Sequence, residues 1–131
     1  VHNMYHHKKV PVNYAAIPRV FFGTPELAIV GKTERELKIT GEPYQTSIAP
    51  IGILGRSITS NYTTGFVKIV ATHTGILLGA SIVAPHASEM ISELTFAIQY
   101  RHYACDVANT VHPFPTWSEA VRIAASKIQC I

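Results

Sequence analysis

"GFVKIVATHTGILLGASIVAP", residues 65–85, decides the fold class. Residues 65–72 and 75–85 are two runs rich in Val, Ile, Leu and Ala, joined through "THTG" at 72–75. Such runs on either side of a short Gly-containing turn read as a β-hairpin. On the C-terminal side the period changes. Met90, Ile91, Leu94, Ala97 and Ile98 fall on one face of a helix expected over about 87–101, with His86 at its start. Glu89 and Glu93 lie towards its beginning and Arg101 and His102 at its end, as the helix dipole prefers.

On the N-terminal side, "PRVFFG" (18–23) and "LAIVG" (27–31) are short strands separated by the turn signal "TPE". Thr33 and Glu36 have capping-box spacing, so a short helix starts there and ends at Gly41 and Pro43. "YQTSIAPIGI" (44–53) reads as a strand and 54–64 as a polar loop. A last helix is expected over about 117–128, with Trp117, Ala120, Val121, Ala124 and Ile128 on one face. Five strands ahead of two long helices give an α+β fold: a mostly antiparallel sheet of about five strands with helices packed on it.

Composition narrows the function classes. The 131 residues are 47% hydrophobic and 15% charged, which predicts one packed domain. A net charge of +3 is mild, and its only concentration is "HHKK" at 6–9, so no basic face for nucleic acid is expected. No apolar run approaches the ~18 residues of a membrane helix. With no signal peptide and no initial Met, the chain reads as a fragment or processed product. Cys105 and Cys130 form no CxxC motif, which points to a reducing, cytoplasmic setting with both cysteines structural. "NYT" at 61–63 is a sequon by chance in that setting. Residues 1–10 read as a flexible linker and 11–131 as the domain. His2, His6 and His7 lack a second ligand cluster at structural-site spacing, so no metal site is expected.

The remaining stretch is "TVHPFPTWSEA", residues 110–120. Pro113 and Pro115 each fix their own φ and restrict the residue before them, which describes a loop that must sit accurately. Glu119 lies three residues after Thr116, a second capping-box spacing.

Taken in order, "IPRVFFGTPELAIVGKTERELK", "GFVKIVATHTGILLGASIVAPHASEMI" and "HPFPTWSEAVRIAA" resemble the C-terminal dimerisation domain of the pyridine nucleotide-disulfide oxidoreductases. Dihydrolipoamide dehydrogenase and mercuric reductase are flavoenzymes of that superfamily. The resemblance runs from about Pro11 to Ile128. It implies a homodimer in which the 110–119 loop completes the partner subunit's flavin and disulfide site. It also implies FAD and NAD(P) bound by upstream domains, with a role in redox homeostasis. "GILG" at 52–55 lacks GxGxxG spacing, so this chain alone is expected to bind neither cofactor and to be inactive as an isolated fragment. The helix face at 90–98 and the loop at 110–119 are the expected interface.

In dihydrolipoamide dehydrogenase-like members the segment reads H-x-H-P-T-x-x-E, with the second His as acid/base and the Glu holding it. Here Phe114 stands at that His, and a phenyl ring moves no proton. Mercuric reductase-like and transhydrogenase-like branches also carry an aromatic there. The adjacent Cys pair that ends mercuric reductases is absent, Cys130 standing alone.

The resemblance therefore leaves Glu119 and His112 as the catalytic candidates, each with a plain alternative: helix capping for Glu119, a backbone-bonded loop histidine for His112. Phe114 and Pro115 are the candidates for contact with the partner's flavin region, and the Phe114–Pro115 peptide is expected to be cis, with His112–Pro113 trans. Two other readings stay open. One is a stand-alone α+β interaction module without redox activity. The other is a small metal-binding protein using the N-terminal histidines.

Overall fold

The computed structural model describes all 131 residues. Its elements in chain order are α1 (His2–Tyr5), β1 (Arg19–Phe21), β2 (Glu26–Gly31), α2 (Glu34–Thr40), β3 (Gln45–Pro50), α3 (Gly55–Thr59), β4 (Phe66–Ala71), β5 (Leu77–Ala84), α4 (Ala87–Gln99), α5 (Ala104–Asn109) and α6 (Glu119–Ala125), with 3-10 turns at Tyr14–Ala16 and Ile51–Ile53. The five strands form one antiparallel sheet in the order β1-β2-β5-β4-β3. The 65–85 hairpin is thus β4–β5, and β5 lies at the centre of the sheet.

Register explains the core. Ile82 pairs with Ala28 on one side and Val67 on the other, and Val67 pairs with Ala49. Ala80 pairs likewise with Val30 and Ile69, and Ile69 with Ser47. All eight are buried. Side chains alternate across a strand, so these two rows put one continuous apolar face on the sheet. Helix α4 lies on β2 and β5, and α6 on β3 and β4. Alanines at 28, 49, 80, 84, 120 and 124 let the helices approach closely. Ser47, buried in this face, donates from its hydroxyl to the Ala124 carbonyl at 2.6 Å.

Helix boundaries follow local chemistry. Thr33 and Glu36 form the expected capping box, and Gly41 closes α2 in the left-handed conformation. Helix α4 buries the five expected residues but ends at Gln99, because Arg101 turns left-handed. Arg101 and His102 therefore lie beyond the helix rather than in its last turn. The N-cap His86 makes no side-chain cap bond. Instead Glu26, from β2, accepts from the Ser88 N–H at 2.8 Å, so a carboxylate meets the positive end of the helix. That bond holds the Glu26 carboxyl below the usual carboxylate range.

Four expectations are corrected. The last helix is confined to Glu119–Ala125, although Trp117 and Ile128 are buried with it as foreseen. The loop at 54–64 contains α3. Helix α5 was not foreseen; it is six residues long, too short to display a period, and its start is marked by Asp106 accepting from the Tyr103 N–H at 2.9 Å. Near the N-terminus, residues 1–10, read as linker, carry α1, and the Tyr14–Ala16 turn follows within the domain. There Asn3 pairs through both side-chain amide atoms with the Val10 backbone at 2.8 Å. No helix is long and apolar enough to cross a membrane.

Candidate functional site

The segment 110–118 runs between α5 and α6, which pack on each other. Its attachments are local and specific. The Thr110 hydroxyl donates to the Asp106 carbonyl at 2.9 Å, fixing the exit from α5. The Thr116 hydroxyl donates to the Pro113 carbonyl at 2.7 Å, and the Thr116 N–H donates to Glu119 at 3.0 Å. Thr116–Glu119 is therefore half a capping box: the carboxylate reaches back as expected, while the hydroxyl serves the loop instead of the helix. The Phe114–Pro115 peptide is cis, as expected; Thr24–Pro25 is cis as well.

His112 turns inward, with its side chain 5% exposed. Nδ1 lies 2.9 Å from the Thr110 carbonyl oxygen, and Nε2 lies 2.9 Å from Oε1 of Glu93 on α4. A carbonyl only accepts, and a carboxylate accepts at both oxygens, so the imidazolium form satisfies both contacts with its two N–H groups. Both His112 nitrogens are thus engaged by α4 and the loop, and Glu119 by Thr116. Glu93 is the partner of His112 that the sequence reading missed. It is 19 positions from His112, and a helix carboxylate at that distance carries no local signal.

Phe114 does the opposite. The residue is 78% exposed and so takes no part in the core. It rests on Gly55, the first residue of α3: a Cβ there would stand 3.5 Å from Cζ and 3.7 Å from Cβ of Pro115. Val111 is exposed too. On α4 the expected interface face must be corrected. Met90, Ile91, Leu94, Ala97 and Ile98 are buried against the sheet. The apolar surface that α4 leaves open is Phe96, with Tyr100 just past the helix end, their ring centroids 4.8 Å apart. Phe96 lies one turn from Glu93, so this surface continues towards the fastened loop. A cavity of about 270 Å³ lies between Glu93, Phe96, His102, Asp106 and Thr110.

The cysteines require another correction. Cys105 in α5 and Cys130 after α6 form a disulfide, with Cα atoms 6.3 Å apart. A separation of 25 residues hid the contact, which α5–α6 packing creates. At the N-terminus the rings of His2 and His6 stack at 4.0 Å, and His6 Nδ1 lies 3.0 Å from the His2 carbonyl.

Comparison with known proteins bears on the family and the fold. The chain is 43% identical over 118 residues to dihydrolipoyl dehydrogenase 3 of Pseudomonas putida, covering 89% of this chain and 25% of that protein. It is 44% identical over 115 residues to a dihydrolipoamide dehydrogenase of Chaetomium thermophilum, covering 87% and 23%. Among solved structures, LpdA from Mycobacterium tuberculosis superposes with a TM-score of 0.91 at 27% identity, over 98% of this chain and 28% of that one. The HOCl-induced flavoprotein disulfide reductase RclA from Escherichia coli does so with a TM-score of 0.81 at 25% identity, over 86% and 26%. The chain thus spans about a quarter of the length of the relatives it matches. The family described as "Pyridine nucleotide-disulphide oxidoreductase, dimerisation domain" matches residues 17–125, and the chain belongs to that family.

Proposed function

We propose that this chain is the C-terminal homodimerisation domain of an FAD- and NAD(P)-dependent oxidoreductase, and that its 110–118 loop completes the partner subunit's flavin and disulfide site. The observation that carries the reading is the pairing of an exposed Phe114 with a loop fastened on three sides, by Glu93, by Asp106 and by Glu119. An exposed aromatic on a loop that has little freedom left to lose suits docking against another subunit. The residues present fit a supporting share of such a site: Phe114 and Pro115 supply an apolar wall, while FAD and NAD(P) are held by domains outside this chain. When bound, the flavin supplies the electron transfer.

In this reading residue 114 transfers no proton. His112 and Glu119 act by holding the loop, His112 through Glu93 and Glu119 through the Thr116 N–H. Phe114 thus departs from the acid/base histidine that the resemblance implies for dihydrolipoamide dehydrogenase-like members. Residues 1–10 lead into the domain of 11–131. The setting is cytoplasmic, which makes the Cys105–Cys130 bond a reversible link.

The test is the complete reading frame. Expressed whole, it should hold one flavin per chain and oxidise NADH or NADPH, and it should purify as a dimer. A complete frame with no dinucleotide-binding segment ahead of this domain, or with no flavin in the purified protein, overturns the reading in favour of a stand-alone interaction module.

A further inference from the structure

We propose that Cys105–Cys130 is a thiol–disulfide exchange site for small dithiols, and that its opening releases the strap of residues 129–131 from the β4–β5 turn. The proposal rests on this chain's own contacts and requires neither the dimer nor a cofactor.

The strap is held at few points. Gln45, at the start of β3, grips the Gln129 backbone with both side-chain amide atoms: Nε2 donates to the Gln129 carbonyl at 2.7 Å, and Oε1 accepts from its N–H at 2.9 Å. The Ile131 N–H reaches the Thr74 carbonyl at 3.3 Å. Ile128, just before the strap, is buried in the core, whereas Ile131 is 91% exposed. Ile128 is thus the last fully buried residue, and within the strap only the half-buried Cys130 packs against the core. Beyond it the disulfide is the one covalent hold.

The strap crosses closely over Gly75 in the β4–β5 turn. A Cβ at Gly75 would lie 2.8 Å from Cys130 Sγ and 2.9 Å from the Gln129 carbonyl oxygen. Gly75 also accepts from the Ala104 N–H at 2.8 Å, so the turn, the start of α5 and the strap meet at one place. Both cysteines are half-buried, which leaves the bond within reach of a small molecule.

The contacts also order the exchange. The Cys105 N–H donates to Cys130 Sγ at 3.2 Å. Attack by one thiolate of the dithiol on Cys105 Sγ forms a mixed disulfide and expels Cys130 as a thiolate. That leaving sulfur already holds a donor, and a hydrogen bond to a charged acceptor is stronger than one to a neutral acceptor. The second thiolate of the dithiol then attacks its own sulfur in the mixed disulfide. It closes a cyclic disulfide and expels the Cys105 thiolate. Two electrons pass to the protein sulfurs, two protons move with them, and the dithiol leaves oxidised. With the bond open, only the Gln45 grip and the long Ile131–Thr74 hydrogen bond hold the strap.

The test uses this chain, isolated without reductant and then treated with dithiothreitol under native conditions. Alkylation and mass measurement should count no free thiol before treatment and two after it. Hydrogen exchange at the Gln129 and Ile131 amides should quicken by about tenfold or more as that local segment opens. The double variant Cys105→Ser/Cys130→Ser should exchange at the fast rate without reductant and not respond to it. Should the variant fail to fold, the treated and untreated wild-type chains still decide. A monothiol at matched thiol concentration should open the bond far less, because its second step is not intramolecular. The proposal is overturned by thiols that are free at isolation, by a bond that opens only in denaturant, by strap amides that exchange unchanged after reduction, or by equal opening with the monothiol.

Discussion

His112 Nε2 sits 2.9 Å from the Glu93 carboxylate, with the imidazole 5% exposed, and this one contact ties the 110–118 loop to α4. Removing the imidazole leaves Glu93 and the Thr110 carbonyl without their partner. Loss of a mostly buried hydrogen-bond partner costs about 1–3 kcal/mol. His112→Ala should lower stability to urea by that amount. Glu93→Gln keeps an acceptor and should lose less. Equal stability of His112→Ala and the parent would mean that the loop is not fastened there.

Phe114 predicts the contrary pattern. The residue is 78% exposed, so Phe114→Ala should change the stability of the single chain by less than about 0.5 kcal/mol. In the full-length enzyme the proton-transfer steps should survive, while association or flavin environment changes. A melting temperature that drops sharply in the isolated chain would show that the ring is packed. A collapse of turnover with melting, dimer and flavin content all intact would instead give residue 114 a chemical role.

The reach of the sequence follows the range of the interactions. The β4–β5 hairpin and the Thr33–Glu36 capping box are local features, and both are legible because spacing alone defines them. The α4 face is legible because 13 residues are enough to display a period. Helix α5, with six residues, is not. The site divides along the same line. Phe114 and Pro115 could be placed by their motif, and Glu119 by its distance from Thr116. The contacts His112–Glu93 and Cys105–Cys130 join residues brought together only when helices pack, and nothing near either partner in sequence announces the other. The interface face was misassigned for a related reason. Apolar periodicity identifies the side of α4 that is covered, and the sheet already covers it, leaving Phe96 and Tyr100 outside.

Those two aromatics, with Val111 and Phe114, lead to a prediction about association. Exposed apolar patches mark interfaces. A twofold contact uses the same patch on both copies, so a disruptive substitution counts twice. The chain should sediment and scatter light as a dimer at micromolar concentration. Phe96→Asp should shift it to the 14.4 kDa monomer without changing its far-ultraviolet circular dichroism. A parent chain that remains monomeric up to millimolar protein would show that this surface does not pair by itself.

Acid should weaken the fold through its carboxylates. Lys68, with Lys38 and Tyr44, pulls the Glu34 carboxyl from the ordinary 4.5 to about 2. The Ser88 backbone N–H lowers Glu26, the Thr33 backbone N–H lowers Glu36, and Lys32 lowers Glu42. For each of them the unfolded chain binds its proton at a higher pH than the folded one. Between the two values unfolding takes up protons, so stability falls as pH falls. Their contribution is complete above about pH 5, declines from there, and for Glu34 is lost only near pH 2. The urea midpoint should therefore hold steady from pH 7 to 5 and drop between pH 5 and 3. Salt separates the causes. Glu34 is half-buried but owes its shift first to the cations Lys68 and Lys38, so ionic strength screens part of its share, whereas the Glu26–Ser88 bond to the start of α4 is short-range and persists. Glu34→Gln should flatten the acid decline at low salt and do so less at 1 M salt. Glu26→Gln should flatten it at both. A midpoint that stays level from pH 7 to 3 would mean that these carboxylates are as easily protonated in the folded chain as in the unfolded one.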